Sequence, residues 1–361
     1  MWRLGTLLYC LVLLSACGSD RSPAFEPPIS EVPPPAFSLQ HQGLDGITIT
    51  RLYQHYNMIF AVSSDGLYIN NGNGNWLNAG LQGFDLEDVV LLSEQHFITA
   101  TYQQDNDGYR QYLLFETYNG GVDWVEIKHQ FGLHGETEAI HALLYDDTTQ
   151  RLYATGTEAL AFSNDQGISW QLLYGSWQGF GQAKSALALN RQHNEIWFGG
   201  QGAIENPVLL QVAVADGSAK QHNNLMPAPS SIYAVRYAPD KPDTVYVSGE
   251  GGIVQSNDNG TSWRPLLGDK NYRFYFDLAI DPANPQRIYT AGWDKKFDDP
   301  QPLIIEWTDN GGSSWEQYQH TAPASFFGGV RSMLLVEENG QKVLYLGLWK
   351  GGVMRVVPTE Y

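Results

Sequence analysis

The sequence is short of cysteine and of basic residues, and both shortages exclude classes of protein. Its 361 residues include only two cysteines, Cys10 and Cys17. Because both lie near the N-terminus, no disulfide can cross-link the rest of the chain, which must rely on a large hydrophobic core. Lys and Arg number 21 against 39 Asp and Glu, which gives a formal net charge of −18. We therefore expect no nucleic-acid partner and no attraction to anionic lipid head groups.

Long apolar runs, helical periodicity and cofactor motifs are also missing. The apolar run from Leu4 to Leu14 is too short to span a bilayer as a mature helix. No glycine-rich phosphate loop follows a strand, and no nucleophile elbow is present. Histidines and glutamates crowd the segment 129–141 without the spacing of a metal site, and residues 105–108 lack the distal glutamate of a calcium loop. We expect no metal and no cofactor.

The first 17 residues carry a recognisable export pattern. Arg3 precedes the apolar run, which ends in Leu14-Ser15-Ala16-Cys17. This pattern resembles the signal and lipobox of bacterial lipoproteins. The resemblance implies a signal peptide over residues 1–16, export, and acyl chains such as palmitate on Cys17. Gly18 in place of an aspartate implies anchoring in the outer membrane. An ordinary secretory signal with an incidental cysteine is the alternative.

A proline-rich segment follows the expected cleavage site. Residues 17–36 contain six prolines, including the run from Pro33 to Pro35. Such a composition forms neither a helix nor a sheet ladder. We expect an extended, semi-rigid linker between the lipidated cysteine and the domain that begins at residue 37.

Two segments of eight residues repeat the pattern S-x-D-x-G-x-S-W. They are Ser163–Trp170 and Ser256–Trp263, and Thr117–Trp124 and Thr308–Trp315 are degenerate copies. The aspartate can accept hydrogen bonds from its own turn, the glycine can adopt a positive φ, and the tryptophan can pack against the sheet. We therefore expect structural roles for these positions: Ser163, Asp165, Gly167, Trp170, Ser256, Asp258, Gly260, Trp263, Gly121, Trp124, Gly312 and Trp315.

The repeated pattern resembles the Asp-box, or BNR repeat, of a superfamily of β-propellers. That superfamily includes photosystem II assembly factors, sialidases and sortilin-type receptors. Pairs of short alternating strands with Asp/Pro/Asn turns precede the repeats, as in residues 140–155 and 232–248. Seven such units of roughly 40–50 residues predict an all-β fold over residues 37–361, a seven-bladed propeller of four-stranded antiparallel blades. The last unit has only three strands, so we expect Phe37–His41 to supply its fourth and close the ring.

Propeller geometry predicts which loops bind a partner. The repeated turns join the third and fourth strands of a blade, on the side called the bottom. The opposite side, the top, carries the longer and more aromatic loops, which are the usual place for binding residues. Candidates for the binding face are Trp177, Phe180, Tyr233, Tyr272, Tyr275, Asp277, Trp293, Phe327, Arg331 and Trp349. Residues expected to line the central channel also include Glu87, His141 and Lys184.

Two classes of function remain open. The preferred one is a non-catalytic propeller that binds a protein partner or assists assembly of an envelope complex. The alternative is a glycan-binding protein or a glycoside hydrolase. Against the enzyme, the Arg-Ile-Pro motif of sialidases is absent, because Arg51 is followed by Leu52 and Tyr53. No catalytic residue is assigned; the carboxylates that an enzyme would most plausibly use are Asp277 and Glu250.

Overall fold

The computed structural model describes residues 36–359, apart from residues 73, 105, 109, 182, 228, 229, 240, 321 and 322. The expected signal peptide, Cys17 and nearly all of the proline-rich linker lie outside the described residues, so those assignments stay predictions. Within the described part of the chain, the only helix is the 3₁₀ turn Ala203–Glu205. No described helix has the length and hydropathy required to cross a membrane.

The described residues form seven sheets of four antiparallel strands. We call these sheets blades 1–7 and number the strands in chain order. Blade 1 contains β2 (Ile49–His55), β3 (Met58–Ser63), β4 (Gly66–Asn70) and β5 (Trp76–Asn78). Blade 2 contains β6 (Asp85–Leu91), β7 (Phe97–Gln104), β8 (Arg110–Thr117) and β9 (Val125–Ile127). Blade 3 contains β10 (Ala142–Asp146), β11 (Arg151–Thr155), β12 (Ala159–Ser163) and β13 (Gln171–Gly175).

The remaining blades continue the same order. Blade 4 contains β14 (Ala186–Asn190), β15 (Glu195–Gln201), β16 (Pro207–Ala213) and β17 (Ala219–His222). Blade 5 contains β18 (Ile232–Ala238), β19 (Lys241–Gly249), β20 (Gly252–Ser256) and β21 (Arg264–Gly268). Blade 6 contains β22 (Leu278–Ile280), β23 (Ile288–Ala291), β24 (Leu303–Thr308) and β25 (Glu316–His320). Blade 7 contains β26 (Val330–Glu338), β27 (Gln341–Leu348), β28 (Gly352–Pro358) and the N-terminal strand β1 (Phe37–His41).

The first strand of each blade lies at the centre of the ring. These strands contact the first strands of the neighbouring blades, so together they form the wall of a central channel. We call the end at which they begin the top and the end at which they finish the bottom. The seven-bladed propeller predicted from the repeats is confirmed.

The ring closes through the N-terminal strand, as the sequence predicts. β1 pairs antiparallel with β28, in a register that sets Phe37 opposite Pro358 and His41 opposite Met354. Phe37 is buried and makes edge contacts with three aromatic rings of blade 6. The edge of β28 is therefore covered, and the two ends of the propeller are joined by main-chain hydrogen bonds.

Hydrophobic clusters lie between adjacent blades. The described residues contain seven of these clusters, one at each interface of the ring. Phe60 of blade 1 and Phe97 of blade 2, for example, pack edge to face with ring centroids 5.2 Å apart. Because apolar side chains alternate along the strands, each sheet presents an apolar surface to both neighbours.

The four tryptophan-containing turns share one hydrogen-bond pattern. In blade 3, Ser163 Oγ accepts the N–H of Gly167 at 2.8 Å, and the Asp165 carboxylate accepts the N–H of Ser169 at 2.9 Å. Blade 5 repeats this pattern with Ser256 and Asp258. In the turns of blades 2 and 6 a threonine and an asparagine make the equivalent bonds. All four turns join the third strand of a blade to the fourth, on the bottom.

The tryptophans of these four turns lie at blade interfaces, and three of them donate a hydrogen bond to the preceding blade. Trp124 Nε1 donates to Ala79 O at 2.7 Å, and Trp315 Nε1 donates to Leu266 O at 3.0 Å. Trp263 Nε1 donates to His222 Nδ1 at 3.3 Å. Trp170 instead bonds within its own turn and packs edge-on against Phe131, 5.2 Å away. In each case the indole ring is held between blades.

We predict that His222 makes stability depend on pH. Its Nδ1 accepts from Trp263 while its Nε2 faces Gln211 Oε1 at 3.1 Å, an arrangement that requires neutral imidazole. Burial lowers the pKa of His222 to about 4, whereas the unfolded value is about 6.5. Only the unfolded chain then binds this proton between the two values. The free energy of unfolding should therefore fall as pH decreases from about 6.5 to about 4.

Urea unfolding at several pH values across that window tests this prediction. His222→Phe keeps a ring stacked on Trp197 but removes the titration. Its overall stability should drop because Trp263 loses an acceptor, while the change of stability with pH should become smaller. His134→Phe, at an exposed position, should leave the pH dependence as in the wild type. Equal pH dependence in all three proteins would contradict the assignment to His222.

Candidate functional site

The central channel is divided into two chambers. The bottom chamber has a volume of about 720 Å³ and the top chamber about 70 Å³. Arg51 and Arg236 line both chambers, so their side chains lie at the division between them. We call these two arginines and their carboxylate partners, Asp88 and Asp277, the charged belt.

Asp88 joins blades 1, 2 and 3 on one side of the belt, and its partner Arg51 extends the contact to blade 4. Its carboxylate lies 3.3 Å from Arg51 Nε and accepts the hydroxyl of Tyr53 at 2.6 Å. It also accepts the N–H groups of Val89 and Leu143. Arg51 in turn donates to Ser185 O, just before β14. Burial raises the pKa of Asp88, and the four donors, which favour the ionised form, act in the opposite direction.

Asp277 has the equivalent position on the other side. It is only 4% exposed and accepts the N–H groups of Leu278 and Met333 at 2.9 and 3.0 Å. Arg236 of blade 5 pairs with it at 2.8 Å. The sequence suggested Asp277 as part of the binding face or as a catalytic carboxylate. In the structure the Asp277 carboxylate is buried, holds blades 5, 6 and 7 together, and also contributes to the wall of the top chamber.

The bottom chamber is the larger cavity, and its walls are a mixture of polar and apolar side chains. Its walls include Leu143, Leu187 and Met333, and its rim carries Arg191 and Asp147, which pair with each other at 2.6 Å. The arginines of its floor are already paired with the carboxylates of the belt. This chamber therefore offers space but no uncompensated charge.

An aromatic cluster surrounds the top chamber on the side of blades 5–7. We use this name for Tyr233, Phe274, Phe276, Trp293, Phe297 and Trp349. Tyr233 stacks on Phe276 with centroids 4.0 Å apart, and Trp293 lies 5.6 Å from Trp349. Trp349 Nε1 donates to the backbone oxygen of Phe297, which joins the top loops of blades 6 and 7. Burial raises the pKa of the Tyr233 hydroxyl, so Tyr233 presents a neutral ring to the chamber.

The rings of this cluster differ in exposure. Phe297 is 43% exposed and Trp349 is half-buried, whereas Trp293 is fully buried. Tyr275 is fully buried as well. The sequence placed Trp293 and Tyr275 on the binding face, whereas in the structure both rings are buried in the top layer. Among the other rings of the cluster, Phe297 is the most exposed, and Tyr233, Phe274, Phe276 and Trp349 are partly exposed.

Tyr275 lies beside Glu306 in a cluster of titratable side chains of blade 6 and the segment before it. Burial raises the pKa of both groups, and the Tyr275 hydroxyl also lies 3.4 Å from Asp269. Arg273 pairs with Asp269 and Asp294 in the same cluster. Since Tyr275 is fully buried, its hydroxyl does not reach a surface on which a substrate could bind.

The other predicted binding residues do not join the aromatic cluster. Trp177 packs on Phe131 between blades 2 and 3, and Phe180 projects into solvent with 97% of its surface exposed. Tyr272 is half-exposed on the link between blades 5 and 6. Phe327 lies 5.8 Å from Lys350 Nζ, next to Trp349. The predicted face is therefore a scattered set of positions with one contiguous cluster at blades 5–7.

The channel residues also divide into two groups. Glu87, His141, Tyr233, Asp277 and Arg331 line the top chamber, as the sequence predicts. Lys184 does not; its Nζ is buried and donates to Thr157 O and Gln201 O. Glu250, the other carboxylate suggested for catalysis, is paired with Lys295.

Sequence reasoning missed the roles of Asp88, Arg51 and Phe297. A signal for the first was present, because Asp88 and Asp277 occupy the same position of β6 and of the segment entering β22. Each is followed by three apolar residues, Val-Val-Leu and Leu-Ala-Ile. Aligning the first strands of the repeats would have found this pair. Nothing in the sequence marks Phe297 as the neighbour of Trp349.

Comparison with solved structures supports the fold. The structure "YCF48 bound to D1 peptide" matches with a TM-score of 0.60 and 15% identity, covering 90% of this chain and 97% of that chain. The extracellular domain of the one-component system protein BT4673 from B. thetaiotaomicron matches with a TM-score of 0.64 and 13% identity, covering 91% of this chain. This chain spans only 40% of that protein's length.

A third match is more distant. The GH74 xyloglucanase from Xanthomonas campestris has a TM-score of 0.47 and 13% identity, over 87% of this chain and 74% of that chain. No protein-family model matches the chain, and no curated protein matches it. At their low identities, the first two matches show a shared propeller fold and do not identify a ligand.

Proposed function

We propose that this protein is a non-catalytic propeller that binds a protein partner at the top of blades 5–7. The observation that carries the proposal is the aromatic cluster, in which Phe297 and Trp349 remain partly exposed on a rigid ring of blades. Aromatic anchors held by buried neighbours are typical of the energetically dominant contacts in protein interfaces. The match to the YCF48 structure, which contains a bound peptide, agrees with this reading at the level of the fold.

The repeated turns support a second part of the proposal. Their shared hydrogen bonds and interblade tryptophans fit Asp-box repeats that serve as bottom-side staples. On this view Asp165 and Asp258 are structural. The bottom turns are then committed to the scaffold, which leaves the top loops to vary with the ligand.

The position of the first described residues fits a tethered orientation. Because β1 runs antiparallel to β28, Phe37 lies at the bottom of blade 7. We propose that Cys17 carries acyl chains and that residues 17–36 link this anchor to the bottom of the propeller, so that the top stays free for a partner. Several acyl chains would anchor the protein stably to the cell envelope, with the outer membrane as the proposed location.

Mass spectrometry of the mature N-terminus tests the anchor. We expect a chain that begins at Cys17 and carries the mass of added acyl groups, and we expect Cys17→Ala to prevent both processing and membrane retention. A mature protein that begins at another residue without acyl mass would show that the lipobox is incidental.

Site-specific photo-crosslinking tests the binding face. A photo-reactive phenylalanine analogue at Phe297 should crosslink the full-length protein to one partner in cell membranes. The matched control is Val122, which is 78% exposed in a bottom turn and should give no such product. Crosslinks from position 122 alone would place the interface on the other side.

We predict that Trp349→Ala then weakens binding of that partner about 30-fold. This factor corresponds to the loss of about 2 kcal/mol that is typical of an interface anchor. Unfolding by urea should stay close to the wild type, because the ring is half-buried at the surface. Unchanged affinity of the folded variant would remove Trp349 as an anchor, and turnover of a glycan by the protein would exclude the non-catalytic function.

A further inference from the structure

Arg331 lines the top chamber without a partner for its charge. Arg331 is the second residue of β26; its side chain is partly buried, and its Nε is enclosed in the wall of the chamber. Within the part of the chain that the structure describes, Arg331 forms no hydrogen bond or ion pair, and its Nε is a buried donor without an acceptor. A guanidinium group carries five N–H donors, and leaving the buried Nε–H of Arg331 without an acceptor is costly.

The other two arginines of the channel show what a complete arrangement looks like. Arg51 is paired with Asp88 and donates to Ser185 O, and Arg236 is paired with Asp277. These carboxylates come from the first strands of neighbouring blades. The scaffold therefore supplies an acid to two of its channel arginines and leaves Arg331 without one.

Aromatic rings stabilise the unpaired cation only in part. The Cζ of Arg331 lies 4.4 Å from the centroid of Phe276, 5.6 Å from Trp349 and 6.0 Å from Trp293. Contacts of this kind stabilise a cation through the ring faces. The rings do not accept hydrogen bonds from the N–H groups, which lie in the plane of the guanidinium. Burial lowers the pKa of Arg331, and Tyr233, Glu87 and Asp85 counteract that effect without pairing with it.

A second unpaired polar atom faces the same chamber. The Nδ1 of His141 is buried without a hydrogen-bond partner, and it lies 3.9 Å from Glu87 Oε2. Both His141 and Arg331 line the cavity of about 70 Å³. Such a volume admits a few waters or one small planar group, since a cavity needs roughly 10–15 Å³ to hold one water.

We propose that the top chamber is a carboxylate subsite in which Arg331 is the main ligand-binding residue. A carboxylate fits because it is planar, can accept two N–H bonds from the edge of a guanidinium, and matches the space available. The inference rests on the proposed function, since a partner seated on the aromatic cluster would deliver its carboxylate past Trp349 into the chamber. The source is an acidic side chain, a chain terminus or a small carboxylic acid.

The charge of the protein restricts which ligands this subsite accepts. With a formal net charge of −18 and Glu87 in the chamber wall, a polyanion would be repelled. A single carboxylate in an otherwise neutral or basic segment avoids this repulsion, because charges beyond about 8 Å are largely screened at physiological salt. The subsite therefore favours one acid group over a phosphate or an acidic run.

Nuclear magnetic resonance of arginine side chains tests the subsite directly. The full-length protein, labelled with ¹⁵N-arginine and held in detergent micelles, is titrated with acetate and, separately, with its neutral analogue acetamide at constant ionic strength. The Nε–Hε signal of Arg331 is assigned by its loss in Arg331→Gln or Arg331→Lys, whichever variant folds. We expect acetate to shift this signal in a saturable way and acetamide to leave it in place.

Arg110 provides the matched control. It also stacks on an aromatic ring, Tyr102, at 4.5 Å, but it is exposed to solvent. Acetate should leave the Arg110 signal in place, and Arg110→Gln should bind acetate like the wild type, whereas Arg331→Gln should bind it at least 10-fold more weakly. A peptide with one glutamate and an amidated terminus, and a peptide whose only acid is its terminus, distinguish the sources.

An Arg331 signal that acetate moves no more than acetamide does would overturn the subsite and indicate that water fills the chamber. That result would leave the proposed function intact if position 297 still crosslinks to a partner. Conversely, acetate binding without any crosslinked partner would retain the subsite and refute the protein-binding role.

Discussion

Replacing Asp88 with alanine should lower the free energy of unfolding by about 3–5 kcal/mol, the range measured when one member of a buried ion pair is removed. Asp88 is 1% exposed and its carboxylate receives four donors, from Arg51, Tyr53, Val89 and Leu143. The variant would leave the N–H of Leu143 and the hydroxyl of Tyr53 buried without acceptors. It would also leave Arg51 without its counter-charge in the middle of the channel.

Urea unfolding followed by tryptophan fluorescence measures this effect. Glu87→Ala is the matched control, because Glu87 is the neighbouring carboxylate on the same strand but is less buried, and the nearest side-chain nitrogen, His141 Nδ1, lies 3.9 Å away. We expect that control to stay within about 1 kcal/mol of the wild type, as for most surface substitutions. A loss below 1 kcal/mol for Asp88→Ala would mean that the charged belt does not hold the blades together.

The sequence was sufficient to predict the architecture because a propeller is repetitive. The two full S-x-D-x-G-x-S-W patterns indicated the phase of the blades, and the strand pairs before them indicated the period. The missing fourth strand of the last blade pointed to the segment Phe37–His41, since an open edge strand is unfavourable. Each of these inferences depends on local pattern, and the structure confirms the fold to which they lead.

The candidate site was less predictable because it depends on side chains from different blades. Arg51 and Asp88 lie on the first strands of consecutive blades, and no sequence spacing predicts that their side chains meet in the channel. The unpaired state of Arg331 could not be predicted either, because it depends on the absence of a hydrogen-bond acceptor among the described residues around it. Exposure of loop aromatics was also beyond the sequence, since an indole on a propeller loop can point outward or pack inward.

Trp293 illustrates the last point in physical terms. The sequence places it in a top loop between β23 and β24, where an exposed anchor would be typical. The structure places its ring over Gly329, where an added Cβ atom would lie 2.7 Å from the indole nitrogen. Only a glycine at position 329 lets the ring lie flat against the link between blades 6 and 7. The pair Gly328-Gly329 was therefore the signal for burial, but it has meaning only once the two loops are known to meet.

The same geometry leads to the second large effect that we predict. Trp293→Ala should lower the free energy of unfolding by about 3–5 kcal/mol, as for other fully buried aromatic residues. The ring contacts Phe274, Phe276, Phe297 and Trp349, so its loss would leave a cavity beneath the partly exposed part of the aromatic cluster. Phe297→Ala is the matched control in the same loop; it is 43% exposed and should cost about 1 kcal/mol or less. Urea unfolding gives both values, and near-ultraviolet circular dichroism reports whether the remaining rings keep their packing.

Because the cavity lies next to Trp349, we also expect Trp293→Ala to weaken binding of a crosslinked partner through disorder of that ring. A folded Trp293→Ala protein with wild-type stability would contradict the buried position of the indole, and normal partner binding by a destabilised variant would show that the top surface does not depend on this support.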